Sequence, residues 1–512
     1  MPATSLRTPA AAMWPLLVAC GAQAVLSFEV DGDGPVRFGF PVPIRALESG
    51  LRVEPSRGTE LQWSLLQTAP GASTERVWVE IAVAGLRGRA KLRLGGDGPT
   101  PADSAAVCRI EQSVLRDDGG ISTTTTCTWR DGSVDRAQHR LVLVDQGEFR
   151  AGEARWSASE GWLERRSRVR IAASAWRAVG LLPARDGSGK DWRRELLRVL
   201  PQLPRAPGER GRGDYLRGPE GGTVTNLEFD TVLGFLLLAL SEEDPSCLLR
   251  AWESARHLVD VDLERGSGLP IRHGHDHRSA RPELGHVWLE GLLLVGCVFA
   301  DRGLIDDALG IARALAAAVR GGPPRRGPQD RLRDEAWPLD QLEAALEFSD
   351  LTPLRDGAAA VVDSMRARWD PQRRVLRYGE GETREGRVVS DRLWQTAGIA
   401  LPALRRHVAR TGDVQVRGIA DAIEAQLAEI LLDGRPGIPL RAAIGAAGPF
   451  DVLRVQGAAE GFLLLDGIST SLRRRALSRS VIRAGLSRVL DADTDDLATR
   501  FSIVARCRWV HR

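Results

Sequence analysis

The spacing of apolar positions changes once along this chain. From about residue 25 to 200 it alternates in short runs, as in Glu60-Leu-Gln-Trp-Ser-Leu-Leu66, Arg76-Val-Trp-Val-Glu-Ile-Ala-Val83, His139-Arg-Leu-Val-Leu-Val144 and the stretch from Trp162 to Ile171. Glycine, proline and aspartate punctuate these runs, and a period of two marks strands with one covered face. The pattern predicts an antiparallel β-sandwich or barrel-like domain over 25–200. Residues 201–225 read as a linker, because the stretch 201–214 is rich in proline, glycine and charge and has no apolar face.

Beyond the linker, over 226–512, the period becomes helical. The spacing predicts helices near 226–242, 246–264, 284–301, 304–320, 335–349, 353–369, 391–411, 415–433, 458–468 and 473–490. Tight turns such as Ser241-Glu-Glu-Asp-Pro245 and Arg410-Thr-Gly-Asp413 group them in pairs. First members such as Thr231-Val-Leu-Gly-Phe-Leu-Leu-Leu-Ala-Leu240 and Leu289–Phe299 are apolar nearly all round, which is the mark of a buried helix. An inner ring of such helices, each backed by an outer partner, makes an α/α toroid of about five to six helix pairs. A plain helical solenoid is the competing architecture.

Composition narrows the class. At 512 residues the chain is long enough for two domains. A net charge of +3 with scattered basic residues excludes a dedicated nucleic-acid binder. Of 70 basic residues only Lys91 and Lys190 are lysine, so arginine abundance by itself says little about anions. Residues 1–24 combine a basic start with a short apolar core and read as a signal peptide. Leu17-Val-Ala-Cys20 resembles a lipobox, which would export the chain to the periplasm or cell surface and tether it to a membrane through Cys20. Cys108 and Cys127 flank the turn Asp117-Asp-Gly-Gly120 and fall nearly opposite one another in a hairpin, as a disulfide or as two thiols. Cys247 and Cys297 fit core positions.

Polar residues gather where inner helices begin: Asn226, Glu228 and Asp230; His286, Trp288 and Glu290; Trp337; and Trp394. In a toroid these starts share one end, where indoles can stack on sugar rings and charged groups can read hydroxyls and carboxylates. His286 and Glu290, four apart, would share a helical face. His275 and His277, with Asp276 between them, lie just upstream; four of the eight histidines fall between His273 and His286. Three histidines and a carboxylate could bind a divalent metal. However, the HExxH order is absent, and a hydrogen-bonded or proton-transfer cluster is the better reading. No cofactor is otherwise called for. Tyr215 offers a phenolate base beside the expected cleft, or a packing residue between domains. Arg217, Arg272 and Arg278 could neutralise a sugar carboxylate.

Phe38-Gly-Phe-Pro-Val-Pro43, Arg212-Gly-Asp-Tyr215, Asn226-Leu-Glu-Phe-Asp230, His275-Asp-His277 and Gly285-His-Val-Trp-Leu-Glu-Gly-Leu292 occur in the order seen in bacterial exo-rhamnogalacturonan-lyase-like proteins, which this chain resembles across most of its length. The resemblance implies a β-rich N-terminal domain, an α/α toroid and β-elimination on a uronate-containing polysaccharide. It points to His275, Asp276, His277, His286 and Glu290 as the site region. It departs from the family pattern at Ala300-Asp-Arg-Gly303, where relatives commonly carry a Gly-Asp turn. Two alternatives stand beside a lyase. One is a glycoside hydrolase using two carboxylates among Glu228, Asp230, Asp276 and Glu290; the other is a non-catalytic glycan-binding surface protein.

Overall fold

The computed structural model describes the strands between Leu26 and Arg170 and most of the chain from Ala173 to Arg512. Residues 1–25, 44–59, 67–75, 95–107, 186–189, 207–212, 218–222, 273–280, 322–331, 378–382, 433–436, 479–488 and 491–495, and shorter breaks between elements, lie outside the described residues. The expected leader and lipobox fall in the first of these stretches.

Strands β1–β11 run from Leu26–Asp31 to Arg168–Arg170 and form three sheets of order β11-β1-β5, β10-β9-β8-β7-β6 and β2-β4-β3. Every pairing in them is antiparallel, as the alternating pattern requires. The hairpin expected at Asp117–Gly120 is present, with those two residues paired across it. Its register sets Cys108 opposite Trp129 and Cys127 opposite Ile110, so the two cysteines are offset by two positions instead of facing each other. Strands end at Arg170, and helices α1 (Ala173–Ala178) and α2 (Lys190–Val199) follow, within a stretch whose pattern had suggested only strands.

The β2-β4-β3 sheet docks on the helical part. Phe40 of β2 (Gly34–Pro43) and Trp78 of β4 (Arg76–Leu86) both meet Trp176 of α1, with ring centroids 5.0 and 6.4 Å apart. A Cβ on Gly39 would stand 1.7 Å from the Cys297 carbonyl oxygen, so glycine is what lets strand and helix touch.

The remaining helices among the described residues are α3 (Thr231–Glu242), α4 (Pro245–Asp260), α5 (Glu290–Val298), α6 (Arg302–Gly321), α7 (Arg333–Phe348), α8 (Thr352–Arg368), α9 (Leu393–Gln395), α10 (Leu401–Thr411), α11 (Val414–Leu431), α12 (Glu460–Gly467), α13 (Thr470–Ser478) and α14 (Leu497–Arg506). A π-helical turn, Thr396–Ala400, joins α9 to α10. Pro402 at its end lacks the N–H that a regular helix would bond four residues back. Among the described residues α3 packs on α5, α5 on α7, α7 on α10, the π turn on α12, α12 on α14, and α14 back on α3.

This closed ring excludes an open solenoid. Its seam is visible in the side chains: Thr231 Oγ1 lies 2.8 Å from Ser502 Oγ. Thr231 to Ser241 are buried without a break on α3, as expected of a helix apolar all round. Outer α6 instead buries one stripe, Leu304, Ile305, Ala308, Leu309, Ala312, Leu315 and Ala316, at the helical period. Cys247 and Cys297 are buried, as their apolar settings imply. The ring is also interrupted: Ile438–Gly445 and Gly448–Val455 form a hairpin in a four-stranded sheet between α11 and α12. No helix among the described residues is long and apolar enough to cross a membrane.

Candidate active site at the helix starts

The centre of the site is a turn. Asn226, Leu227, Phe229 and Asp230 have φ of 45°, 55°, 63° and 56°, a left-handed backbone that costs an L-residue roughly 1–2 kcal/mol each. Hence α3 begins at Thr231, not at 226 as the apolar spacing suggested. Buried Asp214 holds the turn from below. Its Oδ1 accepts from Tyr215 N at 2.7 Å and Thr225 Oγ1 at 2.5 Å, and its Oδ2 accepts from Asn226 N at 3.0 Å. Burial pushes the Asp214 carboxyl above its usual range. Asn226 Nδ2 in turn donates to the carbonyls of Ile271 and Arg272, at 3.2 and 2.6 Å.

The turn aims Glu228 at the start of α7. Arg333 Nη2 donates to Glu228 Oε1 at 2.6 Å and lies 3.1 Å from His286 Nε2. A guanidinium only donates, so His286 Nε2 is an acceptor and the ring proton belongs on Nδ1, which is 3.2 Å from Glu283 Oε2. Glu228 Oε1 is 3.6 Å from the same Nε2. The imidazole therefore sits between two carboxylates with one guanidinium on its basic nitrogen. Partly exposed Arg217 and Arg272 border the group: Arg217 reaches Asp496 Oδ2 at 2.8 Å and Glu228 Oε2 at 3.5 Å, and Arg272 reaches Glu283 Oε1 at 2.8 Å. Of the sequence candidates, Asn226, Glu228, His286, Arg217 and Arg272 thus come together. Arg333 was missed, although a basic residue at a helix start four before Trp337 was a readable sign.

Other candidates are placed differently. Gly285 and His286 belong to a 3-10 turn, Leu284–His286, and α5 starts only at Glu290, so His286 and Glu290 do not share a helical face. Glu290 is held elsewhere, by Arg406 and Arg508 at 2.7 and 2.6 Å. Burial alone would raise its carboxyl, but those arginines outweigh burial and hold it well below the usual range. Asp230 caps helices: Oδ1 accepts from Leu233 N and Oδ2 from Gly291 N, both at 3.1 Å.

Trp288, Trp337 and Trp394 do not offer open faces for sugar rings. They are buried around Phe229, at centroid distances of 6.2, 6.1 and 6.1 Å, and Trp288 meets Trp337 edge-on at 4.8 Å. They form an aromatic cluster whose rings mostly meet edge to face. Tyr215 is likewise buried, against Phe235, with Arg250 Nη1 3.4 Å from its hydroxyl. Burial pushes its phenol further up, so it is a packing residue and a poor base. His275, Asp276, His277 and Arg278 lie outside the described residues; the chain on either side of them is joined by the Arg272 N–Arg281 O bond at 3.2 Å.

Among the described residues one donor set could hold a metal ion: Asp214, His257 and Asp262, whose ligand atoms lie within 4.8 Å of one another. His257 Nε2 is 3.3 Å from Asp262 Oδ2. Asp214 is already engaged by the turn, which leaves His257 and Asp262 as a buried pair beside it.

No protein-family model matches the chain, and no curated protein matches it. Among solved structures, a family 76 glycoside hydrolase from a bovine Bacteroides thetaiotaomicron strain is similar over 78% of this chain and 98% of its own, at 9% identity and a TM-score of 0.41. Cellobiose 2-epimerase from Spirochaeta thermophila is similar over 63% and 98%, at 12% identity and 0.45. A polysaccharide lyase is similar over 56% and 89%, at 10% and 0.39. None of the three reaches a TM-score of 0.5, so the ring and its chemistry rest on the residues themselves.

Proposed function

We propose that the protein is a carbohydrate-active enzyme that cleaves a uronate-containing glycan by β-elimination at the Glu228–His286–Arg333 group. The observation that supports this reading is His286, with Nδ1 3.2 Å from Glu283 Oε2 and Nε2 facing Arg333. Elimination needs a base at C5 of the uronate and a cation on its carboxylate. Arg217 and Arg272 meet the acidic sugar at the exposed border, and Arg333 carries its carboxylate to the imidazole, taking it in exchange for Glu228. Nε2 then removes the C5 proton, the C–H electrons form the C4=C5 double bond, and the C4–O bond breaks, its oxygen leaving with the proton that Nε2 took from C5.

His286 is only 1% exposed, so Arg217 and Arg272 must swing aside for substrate to reach it. His275, Asp276 and His277 are assigned to the same region by sequence adjacency alone. Export and tethering through Cys20 belong to the same reading, since a glycan substrate lies outside the cell.

The test is incubation with polygalacturonate and rhamnogalacturonan, following ultraviolet absorbance of unsaturated uronate and reducing ends together. Both signals rising in step is the expected result. Reducing ends without absorbance would replace elimination by hydrolysis, and binding with neither signal would leave a glycan-binding protein.

A further inference from the structure

A second charged group lies inside the ring, separated from the His286 group by the aromatic cluster. Its residues reach across the axis, because α14 and α7 are not neighbours in the ring, yet Arg506 of α14 stacks on Trp337 of α7 with Cζ 4.3 Å from the ring centre. Around it Arg406 bridges Glu290 and Asp340 at 2.7 and 3.1 Å, and Arg508 reaches Glu290 at 2.6 Å. Arg406 and Arg508, with side chains 25% and 32% exposed, stand between this layer and solvent.

Three donors here have no acceptor. Arg506 is 9% exposed, and its Nη1 makes no hydrogen bond; its Nη2 is 3.8 Å from Asp340 Oδ2, beyond hydrogen-bond reach. Asp340 is itself committed to Arg406 and to Gln341 Nε2 at 2.9 Å. The indole N–H groups of fully buried Trp288 and Trp337 are also without partners. The three residues are contiguous, since Trp288 meets Trp337 and Trp337 carries Arg506. Buried donors are almost always satisfied, and three adjacent ones with no acceptor among them call for an acceptor brought from outside.

We infer that the ring holds an axial carboxylate-binding site on Arg506, across the aromatic cluster from the His286 group. An oxyanion suits it better than a neutral sugar: every orphaned group is a donor, one is a guanidinium, and a carboxylate offers about four lone-pair directions in one plane. Free organic acids and the carboxylate of a uronic acid share this chemistry. Arg406 and Arg508 would exchange part of their hold on Glu290 for the incoming anion.

Calorimetric titration of the full chain with D-galacturonate, acetate and D-galactose tests the site. Saturable binding of at least one carboxylate, weakened tenfold or more in Arg506→Met, with galactose not binding, is the expected result. Arg506→Lys, which keeps the charge but not the flat two-pronged donor, should lose a similar factor, and it decides the matter if the methionine variant does not fold. Galacturonate binding at least tenfold tighter than acetate would name an acidic sugar as the ligand; parity would name small organic acids. Binding of neither carboxylate, or unchanged affinity in the folded Arg506 variants, would overturn the inference and leave water as the occupant. Absence of elimination activity would not touch it, because Glu228, His286 and Arg333 take no part.

Discussion

Asp230 and Gly291 tie two inner helices together at their starts: the Asp230 carboxylate that caps α3 also accepts the Gly291 N–H at 3.1 Å on α5. A Cβ at Gly291 would fall 2.3 Å from Asp230 Oδ1 and 2.6 Å from Leu233 N. Gly291→Ala must therefore break the cap or part the helices. A loss of at least ~2 kcal/mol in urea unfolding is expected from overpacking and a lost cap together.

Asp230 also has a pH signature. Burial pushes its carboxyl from 3.8 up to about 6, so the folded chain holds this proton more tightly than the unfolded one. The contribution is complete below the unfolded value and is lost as pH rises through the folded one. It amounts to about 3 kcal/mol over the full window. Asp230→Asn should be less stable by roughly 1–3 kcal/mol, because one of two facing N–H groups loses its acceptor. The difference between wild type and variant should narrow as pH rises from about 4 to about 6, measured by unfolding midpoints at each pH.

Asp214 sustains the left-handed turn, and its removal should release it. Asp214→Ala is expected to cost about 2–4 kcal/mol, from orphaned N–H groups and a strained backbone with nothing to hold it. A thermal melting shift checks the energy. Hydrogen exchange at Asn226 and Leu227 should rise in the same variant.

Glu283 stands beside His286, its Oε2 3.2 Å from Nδ1. Glu283→Gln keeps an acceptor near Nδ1 but removes the charge that favours the imidazolium formed during proton removal. The turnover number should fall by roughly tenfold or more with KM changed less than twofold, since the loss belongs to the transition state. A matching rise in KM would instead make Glu283 a binding residue.

How much of this was legible differs element by element. The run from Thr231 to Leu240 and the stripe on α6 announced inner and outer helices, because burial dictates those patterns directly. The β half was legible as antiparallel strands for the same reason. The left-handed turn was not, since nothing in Asn226-Leu-Glu-Phe-Asp230 lacks a side chain to advertise positive φ. Helical spacing pairs His286 with Glu290, but the 3-10 turn ends at His286, Val287 is extended and the helix begins only at Glu290, so local counting fails. The tryptophans do fall at helix starts, but a sugar platform and a packed cluster have the same sequence. The bond from Arg333 to Glu228 spans 105 residues, and only ring closure brings such partners together.

The most direct test is the rate of unsaturated-uronate formation from an acidic glycan by wild-type protein and by His286→Ala, both shown to be folded. The wild-type signal is expected to fall by roughly 10²–10⁴-fold on removal of the imidazole. An undiminished rate in the alanine variant would contradict His286 as the base.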